Sequence, residues 1–214
     1  FEREATLKYS VLRIEESPYQ INSNLVISQG KSLIIEPGVT ILFSDNSKLT
    51  VETNAKLVAK GTQNDSIHFI GFGKLADNYI EFYDSGLDDT LQYCAVNNLG
   101  TIRAIFTAPT ISNTLFSNSS AIHETLGFYS CSSFKISNCR FENTIHDYRL
   151  ILSIRSSGII ENTIFYNNSG ICLDIDGQSD NNVKLLNLTI VENESPNSII
   201  NISNMSTANN FVEV

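Results

Sequence analysis

One pattern recurs five times between Leu91 and Asn193, at intervals of 20 to 26 residues. Its copies are Leu91-Cys94-Val96-Asn98, Ile111-Thr114-Phe116-Asn118, Ile136-Cys139-Phe141-Asn143, Ile160-Thr163-Phe165-Asn167 and Leu186-Thr189-Val191-Asn193. Each reads aliphatic, two residues, Cys or Thr, one residue, Val or Phe, one residue, Asn. A fixed period of this length is the signature of a solenoid, in which every repeat forms one coil stacked on the last. Apolar positions two residues apart share one face of a strand, so the Cys/Thr and Val/Phe positions face inward. The residue between them, Ala95, Leu115, Arg140, Ile164 or Ile190, faces out. Stacking then turns each position into a column. The expected columns include one of Val96, Phe116, Phe141, Phe165 and Val191, and an asparagine ladder of Asn98, Asn118, Asn143, Asn167 and Asn193. In such a ladder the side-chain amides satisfy backbone groups that the turn leaves unpaired.

A second series keeps the same beat. Leu33/Ile35, Leu57/Ala59 and Ile80/Phe82 follow one another at 24 and 23 residues, Leu25/Ile27 and Leu49/Val51 at 24, and Ile41 and Ile67 at 26. Leu152/Ile154, Leu173/Ile175 and Ile200/Ile202 extend the series. Three short strands per coil joined by polar turns describe an all-β, single-stranded parallel β-helix. The count is about eight coils over residues 21–214, preceded by a strand-like segment over 1–20.

The run SLIIEPGVTILF (32–43), followed by KLTVETNAKLVAKGTQNDSIHF (48–69), resembles the opening coils of right-handed parallel β-helices of the pectin lyase-like superfamily. The closer likeness is to the non-catalytic β-helix repeats of surface and adhesion proteins. The resemblance implies a fold, but this scaffold carries lyases, hydrolases, adhesins and plain rods alike.

The net charge of −9 argues against nucleic acid, which needs a basic face. No apolar run reaches the roughly 18 residues of a membrane span. A chain that begins at Phe1 without a signal peptide is expected to have lost a leader or to be a fragment, in a secreted, extracellular or cell-surface setting. Seven N-x-[ST] sequons are present. Asn118, Asn167 and Asn193 belong to the expected ladder, which leaves Asn64, Asn187, Asn201 and Asn204 as the glycosylation candidates. Cys94 and Cys139 fall in one column two coils apart, on the order of 10 Å and beyond disulfide reach. They read as small buried fillers, and Cys131 and Cys172 fall in other columns.

No catalytic residue and no cofactor is expected. The superfamily's hydrolases carry GHG and RIK tripeptides that are lacking here, and its lyases set a basic residue beside acidic calcium ligands. The densest acidic cluster is Asp174, Asp176 and Asp180. Asp174 and Asp176 share the outward face, as a calcium site would require. The plainer reading pairs Asp176 with Arg155, through alignment of Ile154 with Ile175. Asp88-Asp89 reads as a turn, and His68, His123 and His146 are isolated. Tyr79, Tyr83, Tyr129 and Tyr148 could line a groove but recur in no common column.

A solenoid needs polar caps, and none follows Phe211, Val212 and Val214. The segment TLKYSVLRI (6–14) alternates like a strand. Phe1, Leu7, Tyr9 and Val11 at one end, with Phe211, Val212 and Val214 at the other, are therefore the expected assembly residues. The function expected is a non-catalytic structural subunit whose partner is itself, head to tail, in a surface filament. The alternatives are a carbohydrate-binding or carbohydrate-cleaving β-helix, with glycans as ligands, and an adhesin fragment.

Overall fold

The computed structural model describes residues 5–6, 10–72, 77–86, 88–119, 123–145, 149–176, 182–195, 198–203 and 211–213. It is an all-β parallel solenoid of about seven turns, close to the eight expected, and 2% helical, with one 3-10 turn at Ile14–Glu16. Three sheets run along it. Sheet A extends from Ala5–Thr6 to Ile200–Ser203, sheet B from Val11–Leu12 to Phe211–Glu213, and sheet C from Tyr19–Ile21 to Thr189–Val191. Ala5–Thr6, Val11–Leu12 and Tyr19–Ile21 each pair with a following strand, so these parts of segment 1–20 form the first coil of the solenoid.

The inward columns form one continuous core. Along sheet C, Ile41, Phe69, Val96, Phe116, Phe141, Phe165 and Ile190 are in register. The rings of Phe116, Phe141 and Phe165 stack at centroid separations of 4.5 and 5.1 Å, the spacing that adjacent strands dictate.

Two departures from the expected columns share a cause, which is that apolar residues stand on both faces of a strand. In the last repeat Leu185 pairs with Ile160 and Ile190 with Phe165, so Leu186 and Val191 turn outward. The sequence LLNLTIV offers two apolar alternations one residue apart, of which only Leu186-Thr189-Val191 fits the template, and the inward set is the other, Leu185, Leu188 and Ile190. In sheet A the inward residues are Ile151 and Ser153, which pair with Leu173 and Ile175, while Leu152 and Ile154 face out. Ser153 is fully buried between Phe128 and Ile175, so the apolar alternation does not mark the inward face of this strand.

Coil length also varies more than expected. Ile80 pairs with Leu49, 31 residues earlier, and Leu91 pairs with Ala59, 32 residues earlier. Ile80/Phe82 therefore continues the Leu25/Leu49 column of sheet A rather than the Leu33/Leu57 column of sheet B. Phe69, not Ile67, aligns with Ile41.

The corners explain the abundance of asparagine. Where sheet B turns into sheet C, Tyr93, Asn113, Asn138, Asn162 and Asn187 all have φ between 49° and 54°. Where sheet C turns into sheet A, the same left-handed conformation falls on Asn98, Asn118, Asn143, Asn167 and Glu192. The third corner places it at Asp84, Phe106, Ser130 and Arg155. Asn enters this region most readily after Gly, because its short amide can bond locally.

The Cys/Thr alternation has an equally local cause. The residue after the left-handed one donates to the carbonyl two positions back. Cys94 reaches Gln92 O at 3.5 Å, Thr114 reaches Ser112 O at 3.0 Å, Cys139 reaches Ser137 O at 3.4 Å, and Thr163 reaches Glu161 O at 3.0 Å. The third corner repeats this with Cys131 to Tyr129 O and Ser156 to Ile154 O. A thiol and a hydroxyl are interchangeable here as short donors that also fit a core.

Candidate functional site

The outer face of sheet A brings charged and aromatic groups together. Its strands at Tyr79–Tyr83, Thr101–Ile105, Leu126–Tyr129, Arg149–Ile154 and Ile171–Asp176 present two outward columns side by side. One column runs Glu81, Arg103, Gly127, Leu152, Asp174, Asn201. The other runs Tyr83, Ile105, Tyr129, Ile154, Asp176. Tyr83 and Tyr129 thus do share a column, with Ile105 between them.

Gly127 makes room for the centre of this face. A Cβ on it would lie 2.6 Å from Glu124 Oε1 and 2.8 Å from the Tyr129 ring, so the glycine lets Glu124 fold down over the sheet. Glu124 is 6% exposed. Its Oε1 accepts Arg103 Nε at 3.2 Å and the Tyr129 hydroxyl at 2.8 Å. Burial, and then the neighbouring Glu124 charge, raise the Tyr129 phenol well above its ordinary range. Further along, Asp174 is 4% exposed, ion-paired to Arg149 Nε and bonded at 2.8 Å by Asn201 Nδ2. Beside this network lies a hollow of about 80 Å³ lined by Asp77, Tyr79, Thr101, Arg103 and His123. The Tyr79 ring has Lys48 and Arg103 cations 5.8 and 5.7 Å from its centroid. Neither Glu124 nor Asp174 lines the hollow.

This arrangement was only partly visible in sequence. The sequence marks Asp174, but its partners Arg149 and Asn201 lie 25 residues before and 27 after it. Asp174 and Asp176 stand in neighbouring outward columns, and Asp180 lies outside the described residues. Among the described residues no group of three His, Cys, Asp or Glu side chains is gathered as a metal would need. The alignment of Ile154 with Ile175 does not hold. Asp176 stands beside Ile154, and the Arg155 backbone N–H donates to its carbonyl at 3.3 Å.

Among the glycosylation candidates, Asn64 is exposed in a turn. The Asn187 amide donates to Asn162 Oδ1 at 2.8 Å, that of Asn201 donates to Asp174, and Asn204 lies outside the described residues. In the expected ladder, Asn98 Nδ2 reaches Gly71 O at 3.0 Å and Asn167 Nδ2 reaches Asn143 Oδ1 at 2.8 Å. Asn143 is half-buried, Asn118 and Asn167 are exposed, and Glu192 takes the fifth place. Asn193 instead stacks on buried Asn168. Each Nδ2 bonds a carbonyl inside the coil, Phe141 O for Asn168 and Phe165 O for Asn193, and Asn193 Oδ1 accepts the Asn168 backbone N–H.

All four cysteines are free and buried. Burial pushes the Cys94 and Cys172 thiols up to about 12 and Cys139 to about 11. Of the assembly candidates, Phe1, Leu7, Tyr9 and Val214 lie outside the described residues. Val11 pairs with Ile34, and Phe211 and Val212 pair with Asn182 and Val183. Among the described residues no helix is long and apolar enough to cross a membrane. No protein-family model, curated protein or solved structure matches the chain.

Proposed function

We propose that this chain is a non-catalytic extracellular structural module, a β-helix of the surface-protein kind that joins others end to end into a filament or appendage. The observation that carries the reading is apolar surface on the last described strand of sheet A. In sheet A, Leu173 and Ile175 are 0% and 2% exposed, whereas Ile200 and Ile202, the next residues in their columns, are 38% and 40% exposed. Among the described residues Ile200–Ser203 is also the last strand in its sheet, and its outer edge pairs with no other described strand. A further coil of matching columns covers both at once, and a heterologous contact that does not close gives a filament. The thiols with raised pKa values suit an oxidising setting, since a thiol that does not ionise does not react. The engaged carboxylates of Glu124 and Asp174 favour a scaffold over a catalyst.

Sedimentation velocity over a concentration series, with negative-stain imaging, tests this. The expected result is a ladder of rod-like species, with Ile202→Asp shifting the distribution to single modules. A monomer at every concentration overturns the reading.

A carbohydrate-binding reading draws on the tyrosines and the hollow on sheet A. It ranks second because Lys48 and Arg103 stand by the Tyr79 ring, where a sugar would stack. Saturable binding of an oligosaccharide that is lost in Tyr79→Ala would move it to first place.

A further inference from the structure

Asp89 is 0% exposed, at the corner that leads into the strand Thr90–Gln92. Its Oδ1 accepts the Leu57 backbone N–H of the preceding coil at 2.8 Å, and the Ser85 hydroxyl donates to Oδ2. The Ser85 Oγ also lies 3.2 Å from Thr107 Oγ1 of the following coil. Thr107 Oγ1 in turn donates toward the carbonyls of Ser85 and Gly86 at 3.3 and 3.2 Å. The carboxylate thus joins two coils directly and reaches the third through Ser85. Among the described residues no lysine or arginine is ion-paired with it, and the nearby Lys56 of the preceding coil bonds Asp88 at 3.1 Å. Among the described residues Lys56 and Asp88 are the charged groups that act on it, and Thr107 and Thr110 on the following coil bring none.

A serine hydroxyl has one proton. While Asp89 is ionised, that proton is held by the carboxylate, and the one Thr107 proton goes either to Ser85 Oγ or to a carbonyl, not to both. A protonated Asp89 can donate to Ser85 Oγ instead, which frees the serine proton to reach Thr107. Asp89, Ser85 and Thr107 then each donate once along a chain that ends on a backbone carbonyl, with Leu57 still held, which is one hydrogen bond more than the ionised form makes. We propose that Asp89, Ser85 and Thr107 form a proton-switched clamp that binds three consecutive coils more tightly in acid than at neutral pH.

Burial moves the Asp89 carboxyl up from its ordinary 3.8 to about 6, against the lowering effect of the Leu57 N–H, Ser85 and Lys56. The sign follows from linkage. The fold favours the protonated form, so the stabilisation is complete below about pH 3.8 and is lost as pH rises through about 6. A gap of about two pH units corresponds to roughly a hundredfold in the folding equilibrium constant.

The test is urea denaturation of the whole chain and of Asp89→Asn from pH 4 to 7. The asparagine amide keeps the Leu57 contact and donates to Ser85 at every pH. The expected result is a variant more stable than the natural chain at pH 7, by up to about a hundredfold in the equilibrium constant, with the gap closing at pH 4. A gap that does not change with pH overturns the proposal. Should Asp89→Asn not fold, carbon-detected NMR titration of the natural chain decides. A midpoint near 6 for the Asp89 carboxyl upholds the clamp, and one near its ordinary value overturns it.

Discussion

The phenyl rings of Phe116 and Phe141 lie 4.5 Å apart with their planes 5° from parallel, one coil directly above the other. Phe165 continues the stack at 5.1 Å, so Phe141 is covered on both faces. Phe141→Ala should therefore open a cavity that its neighbours cannot close without moving two coils. The expected loss is about 3–5 kcal/mol in urea denaturation. A loss below about 1 kcal/mol would show that the stack relaxes and does not act as the core.

The corner asparagines should be held by backbone conformation. Asn138 has φ 54°. Asn138→Gly should leave stability within about 1 kcal/mol of the natural chain, whereas Asn138→Val should lower it by roughly 1–2 kcal/mol. Equal losses in the two variants would mean that the side-chain amide, rather than the turn, is what the position needs.

The Glu124 network should be readable through Tyr129. Burial and the Glu124 carboxylate together raise the phenol, and its hydroxyl donates to Glu124 at 2.8 Å. In Glu124→Gln the charge is gone and the Tyr129 titration should move down toward the ordinary range, followed by NMR of ring-labelled tyrosine. An unchanged titration would assign the whole shift to burial.

The corner thiols should be replaceable by a hydroxyl donor of similar shape. Cys139 donates to Ser137 O, and Thr114 and Thr163 make the equivalent bond one coil to either side. Cys139→Thr is expected to cost less than about 1.5 kcal/mol, as near-isosteric core changes do, while Cys139→Val, which cannot donate, should cost more. In the natural chain, Cys94, Cys139 and Cys172 should resist a thiol-alkylating reagent until urea unfolds the solenoid. Alkylation in the folded state, read by mass spectrometry, would contradict their burial.

The sequence by itself determined the solenoid, its three strands per coil and the phenylalanine column, because a repeat of period about 24 with alternating inward residues has few other ways to bury them. Strand register at Leu185–Ile190 and Ile151–Ser153 was decided only by the tertiary structure. Both segments are apolar on two faces, so alternation alone cannot choose between frames one residue apart, and the neighbouring coil makes the choice. The asparagine positions stood out in sequence as a column, but their left-handed backbone and the separate Asn168–Asn193 stack became visible only in the coil geometry. The outer face of sheet A and the Asp89 corner were the least legible. Their partners are 21 to 32 residues apart in the chain, and only stacking brings Arg103 to Glu124, Arg149 to Asp174 and Leu57 to Asp89.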